Sequence, residues 1–126
     1  QDSAYYPQDS SGENSLVLNI GIQNVSKDMG SPELVRCSHN EGMLNFVDNT
    51  GKYTEIEQFN IYDKDMPNAD IVTLDAQCGD LIIYHMNLIH RSGFNYSNKV
   101  RFSAIARAFK TMTSKFNPFS SETLLI

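Results

Sequence analysis

Gly79-Asp80-Leu81-Ile82-Ile83-Tyr84-His85-Met86-Asn87-Leu88-Ile89-His90-Arg91-Ser92-Gly93 opens on a turn signal, runs through β-rich apolar residues and ends on a histidine beside a serine. Two of the chain's three histidines lie in this stretch, and Arg101 follows on the next apolar run. Short β-branched runs bounded by Gly-Asp and Ser-Gly read as strand. The rest of the chain can be read by asking what else converges on this segment.

Working outward, Leu16, Leu18, Ile20 and Ile22 alternate with Val17, Asn19, Gly21 and Gln23, which is the period of a half-buried strand. Glu33 to Cys37 reads as a short strand, Ile71 to Leu74 as a β-branched run and Val100 to Phe109 as the last strand. Thr54 to Tyr62 reads as either strand or short helix. Turn formers mark 7–14, Ser26 to Pro32, Ser38 to Gly42, Asp48 to Gly51, Met66 to Asn68 and Cys78 to Asp80. The Ser/Thr-rich tail from Thr111 to Ile126 contains Pro118, a helix breaker. Many short strands between such turns, with no amphipathic helix, predict a sandwich or jelly roll.

Bulk properties narrow the function. The 126 residues suit one domain, 1–126. A formal charge of −5, with scattered Lys and Arg, offers no basic stripe for nucleic acid. No apolar run approaches the roughly 20 residues of a spanning helix, so no membrane partner is expected. Cys37 and Cys78 make neither a disulfide framework nor a Cys-x-x-Cys zinc pair. The default is a reduced, cytoplasmic protein; oligomeric state is unreadable. Gln1-Asp2-Ser3-Ala4-Tyr5-Tyr6 carries no initiator Met and no signal-peptide pattern, and reads as a chain entered in the middle.

The segment Ile89 to Phe102 can be read as a β-hairpin around the loop 93–98. Centring it between Asn95 and Tyr96 sets His90 opposite Arg101 and Ser92 opposite Lys99. Opposed residues share a sheet face with Cβ atoms roughly 5 Å apart. His90, Ser92, Arg101 and Ser103 then converge, since residues two apart also share a face. Arg is rarely buried unpaired, and its planar fork suits a carboxylate. Spacing alone leaves two readings open: a site of this kind, or a solvated Arg101 at a sheet edge with His90 as a satisfied rim histidine.

His90-Arg91-Ser92-Gly93-Phe94-Asn95-Tyr96-Ser97 followed by Arg101 resembles the C-terminal signature of the phytanoyl-CoA dioxygenase family. Gly79-Asp80 leading to His85 is similar to that family's lead-in. Ser38-His39 resembles a segment that usually reads Gly-Ser-His, with Cys37 in place of the glycine. The resemblance runs in order from Gln1 to about Phe109. It implies an all-β double-stranded β-helix, the cupin-like jelly roll, seen as the C-terminal portion of an oxygenase core. It further implies Fe(II) and 2-oxoglutarate as cofactors, with a small-molecule substrate hydroxylated by dioxygen and release of succinate and carbon dioxide.

The family's iron is held by two histidines and one carboxylate, leaving positions open for cosubstrate and dioxygen. Relatives commonly read His-Gln-Asp at the first pair, and this chain opens Gln1-Asp2. The resemblance therefore matches Asp2 and His90 to metal ligands, with the first histidine immediately before Gln1. A rival alignment uses Pro7-Gln8-Asp9, where Pro7 cannot ligate. Arg101 is matched to the far carboxylate of 2-oxoglutarate, and Ser92 to a hydroxyl hydrogen bond there.

His85 has the opposite parity to His90 and is expected to support rather than ligate. His39 is expected to be structural or near the pocket mouth. Asn19 and Gln23 are candidate substrate contacts or solvent-facing, and Tyr5, Tyr6 and the segment 43–70 are candidate pocket lining. The competing readings are a non-catalytic jelly-roll binding module without metal competence, and a metal-binding cupin with 2-oxoglutarate-independent chemistry.

Overall fold

The computed structural model describes residues 1–6, 11–49 and 59–110. The rival motif at Pro7 to Asp9, most of the ambiguous Thr54 to Tyr62 segment, and the tail from Thr111 lie outside the described residues. Eight strands are present among those described: β1 (Ser15–Ile20), β2 (Pro32–Val35), β3 (Phe46–Asp48), β4 (Phe59–Ile61), β5 (Ile71–Thr73), β6 (Leu81–His85), β7 (His90–Ser92) and β8 (Ala104–Phe109). The only helical pieces among them are short 3-10 turns at Asp2–Tyr5, Ser38–Glu41 and Asp63–Asp65. None is long and apolar enough to cross a membrane.

Two three-stranded antiparallel sheets, ordered β6-β1-β8 and β5-β2-β7, carry the fold, with β3 and β4 paired separately. Side chains from the two sheets meet between them: the ring of Tyr84 on β6 lies 5.0 Å from that of His90 on β7. The fold is the all-β jelly-roll arrangement expected from the sequence. Buried Val17, Val25, Met29, Val35, Met86 and Ile89 form its apolar core.

Several boundaries differ from the expectation. β1 stops at Ile20 because the backbone of Gly21 packs against the 77–80 turn, donating to Asp80 at 2.8 Å and accepting from Gly79 at 2.7 Å. A Cβ on Gly21 would lie 2.4 Å from the Gln77 carbonyl oxygen. The expected 33–37 strand is shifted to Pro32–Val35, and Cys37 takes a left-handed φ of 59° to enter the Ser38–Glu41 turn. The Cys78 to Asp80 turn forms as expected, with Asp80 Oδ2 accepting from the Gln77 N–H at 2.7 Å.

The alternation along β1 is real, yet the richer apolar face points away from the opposite sheet. Leu16 and Ile20 are exposed, as are their neighbours Leu81 and Ile83 on β6. The inward face carries Val17 and Asn19, in register with Tyr84 and Ile82 and with Arg107 and Ile105. Polar side chains on that inner face line the cavity described next.

The predicted Ile89–Phe102 hairpin does not form. β7 pairs with β2 in one sheet and β8 pairs with β1 in the other, and Arg101 precedes β8 rather than opposing His90 in a ladder. The 93–103 segment is a crossover between layers. Its Asn95 makes an isolated bridge to Met29, and Tyr96 and Ser97 donate to the Asp28 carbonyl. Those bonds to the 26–30 turn hold the crossover away from a tight hairpin.

Candidate functional site

Asp2 is placed by its own backbone. In the first 3-10 turn, its N–H donates to the Met86 carbonyl at 2.8 Å, docking the turn against the β6–β7 connection. The residue is 5% exposed, and its carboxylate is held on both oxygens. Oδ1 lies 3.2 Å from His90 Nε2. Oδ2 accepts from Arg107 Nε at 2.8 Å and stands 2.7 Å from Nη2. A buried carboxylate is tolerable only when paired in this way.

His90 begins β7, and its register opposite Leu34 turns its ring towards the other sheet. Nδ1 sits 2.9 Å from the Leu88 carbonyl oxygen. A carbonyl only accepts, so Nδ1 carries the proton in that bond and Nε2 is the nitrogen presented to Asp2.

Arg101 reaches the same cavity by a different route from the one spacing predicted. Its Nη2 donates to Ser92 Oγ at 2.7 Å and its Nη1 to Ser103 Oγ at 2.6 Å. Gln23 clamps the backbone on either side, donating to the Val100 carbonyl at 3.2 Å and accepting from the Phe102 N–H at 3.3 Å. Among the described residues no carboxylate pairs with Arg101. The convergence of His90, Ser92, Arg101 and Ser103 therefore holds, although the ladder offered as its reason does not.

These groups line one cavity of about 300 Å³, with Asn19, Tyr84 and Arg107 on the wall formed by β1, β6 and β8. Tyr5 and Phe59 also line it, as the sequence anticipated for Tyr5 and the 43–70 segment. Tyr6 does not: its ring packs on Phe109 and lies 5.7 Å from the Arg107 guanidinium. His85 stands apart, its ring 5.5 Å from that of His39 and its Nδ1 accepting from the Asn87 N–H at 3.0 Å. It braces the turn ahead of His90, although the parity offered as the reason does not apply, because the strand ends at His85 and His90 begins a strand of the other sheet.

Electrostatics follow from this packing. Burial pushes the Asp2 carboxyl up, but the hydrogen bond and charge of His90, together with the Arg107 guanidinium, outweigh it and hold the group below its ordinary value. Tyr84 is pushed up to about 12, by burial first and then by the Asp2 charge, with Arg107 opposing. The phenol stays neutral. Burial lowers Arg107, and the Asp2 carboxylate more than compensates, so the guanidinium stays charged.

Arg107 and Tyr84 were missed by the sequence reading. Arg107 had a legible signal: it stands alone among Ala, Ile and Phe on β8 and shares the parity of Arg101 and Ser103. Tyr84 sat in plain view in the opening stretch, but its facing depends on which side of β6 is inward.

Asp2 and His90 supply a donor pair that fits a small cation. Asp2 Oδ1 and His90 Nε2 are close enough to touch one ion, and each is fixed from behind, by Arg107 and by the Leu88 carbonyl. No third His, Cys, Asp or Glu joins them among the described residues.

Comparison with known proteins bears on the family and the fold. The family described as Phytanoyl-CoA dioxygenase (PhyH) matches residues 1–103. No curated protein matches the sequence. A solved structure described as a non-heme monooxygenase, ThoJ in its apo form, superposes with a TM-score of 0.68 at 20% identity, over 86% of this chain and 38% of that one. That likeness supports the cupin-like double-stranded β-helix, and the chain spans well under half the length of the protein it resembles.

Proposed function

The chain belongs to the phytanoyl-CoA dioxygenase family, and on that premise we propose that it is part of an Fe(II)- and 2-oxoglutarate-dependent oxygenase hydroxylating a small molecule. One observation carries this reading. Asp2 and His90 converge at 3.2 Å in the same cavity where Arg101, without a carboxylate partner among the described residues, is braced by two serines. Asp2 and His90 would hold the iron. Iron and 2-oxoglutarate, when bound, supply the activation of dioxygen that hydroxylation of a C–H bond requires.

The chain's own residues do the rest. Ser92 and Ser103 accept from Arg101 through lone pairs, which leaves their O–H protons to donate to an incoming carboxylate. The guanidinium and two hydroxyls thus form one carboxylate cradle, suited to the far end of 2-oxoglutarate. Gln23 keeps that cradle in place from the backbone side. Arg107 holds Asp2 by Oδ2 and leaves Oδ1 facing His90. Tyr84 stays a neutral phenol and adds no negative charge beside Asp2.

Incubating the full-length protein anaerobically with Fe(II) and 2-oxoglutarate, then admitting dioxygen, tests the proposal. Succinate is the expected product. Its absence from iron-loaded protein would favour the binding-module reading.

A further inference from the structure

We propose that the Gln1 side-chain amide is a positioning element that sets Asp2 against His90. The inference rests on reading those two residues as a metal pair. Gln1 lies next to Asp2, yet its side chain does not enter solvent as a spacer would. Nε2 donates to the Asn87 carbonyl at 2.6 Å and to the Gly42 carbonyl at 2.7 Å, and Oε1 accepts from the Leu44 N–H at 2.9 Å. The pattern fixes the orientation of the amide, because carbonyls only accept and an N–H only donates.

The amide therefore joins three parts of the chain. Asn87 belongs to the turn between β6 and β7, three residues ahead of His90, and the Asp2 N–H docks on the neighbouring Met86 carbonyl. Gly42 and Leu44 follow the Ser38–Glu41 turn, whose Ser38 hydroxyl accepts from the buried Ile89 N–H at 2.8 Å. One carboxylate ligand and one imidazole ligand, from distant parts of the sequence, are thus referenced to the same turn. The Gln1 amide bonds that turn at Asn87 and the segment after the Ser38–Glu41 turn at Gly42 and Leu44.

The chemistry at this position is specific. Two acceptors and one donor face a side chain of fixed length, and a primary amide satisfies all three. Glutamate keeps the length and the acceptor but aims negative charge at two carbonyl oxygens. Methionine keeps the bulk and satisfies none of the three. Groups that orient a ligand from behind typically change metal affinity by about 10–100-fold when altered.

The test uses full-length protein carrying Gln1→Met or Gln1→Glu, titrated anaerobically with Mn(II), with the Co(II) absorption spectrum as a readout of ligand geometry. Both variants are expected to lose Mn(II) affinity, Gln1→Glu the more, by about 10–100-fold, with an altered Co(II) spectrum and cooperative unfolding retained. Wild-type affinity in Gln1→Met would overturn the inference, since bulk alone would then suffice. Should one variant fail to fold, wild-type affinity and spectrum in the other decide against it equally. A wild-type protein that binds no Mn(II) would instead remove the metal-pair reading on which the inference stands.

Discussion

His90 Nε2 and Asp2 Oδ1 lie 3.2 Å apart, although Asp2 precedes β1 and His90 begins β7. Both are referenced to the β6–β7 turn, Asp2 through its N–H on Met86 and His90 through its Nδ1 on Leu88.

Arg107→Met removes the partner of Asp2 Oδ2 and leaves a buried carboxylate half-satisfied. Breaking such a pair should cost about 3 kcal/mol of folding stability, read as a lower urea midpoint at neutral pH. The Asp2 carboxyl is held low in the folded state, so the stability it contributes is present above its unfolded value and lost as pH falls through the folded one. Without Arg107 that loss should begin at higher pH. An unchanged acid-unfolding profile would show that Arg107 does not hold the carboxylate.

Arg101→Ala should raise the 2-oxoglutarate requirement sharply while iron binding stays mostly intact. Among the described residues the guanidinium hydrogen-bonds to Ser92 and Ser103, while Asp2 is held by His90 and Arg107. Arg101→Lys should recover little, because a point charge cannot replace a planar fork braced at two nitrogens. Equal cosubstrate affinity in the alanine variant would remove the role assigned to Arg101.

Asp2→Asn should lower the Tyr84 pKa from about 12, because the Asp2 charge is one of the two influences that raise it. Ultraviolet difference titration of tyrosinate, with Tyr84→Phe identifying the signal, measures this. A Tyr84 titration that does not move would mean the phenol does not sense Asp2.

Gly93→Ala should destabilise the chain. A Cβ there would lie 2.8 Å from the Ser31 carbonyl oxygen, on backbone that also accepts from the Gly93 N–H at 3.0 Å. Overpacking of this kind costs roughly 1–3 kcal/mol. A urea midpoint equal to the wild type would show that the crossover after β7 is looser than its packing indicates.

Local pattern made much of this legible. Short runs between Gly, Asn, Asp and Pro turns predict the strands, and Ser92 and Arg101 do meet. The pairing partners were not legible, because short strands carry no label for which sheet they join. The 90–101 segment looks like a hairpin locally, yet β7 and β8 find better partners in β2 and β1. Parity along β6 sets Tyr84 and His85 on opposite faces, but it says nothing of His90, which begins a strand of the other sheet. Nor could it say that the polar face of β1 is the inward one, since a site-lining strand reverses the usual burial rule. Arg107 escaped because an arginine in an apolar strand reads as edge decoration until a buried Asp2 appears opposite it.

The central claim is that Asp2 and His90 are two parts of one metal site. Iron stoichiometry of anaerobically loaded, desalted full-length protein tests it most directly, comparing wild type with Asp2→Ala and His90→Ala confirmed as folded. One iron per wild-type chain and loss of that iron in both variants is the predicted result. Stoichiometric iron retained by either variant would contradict the account.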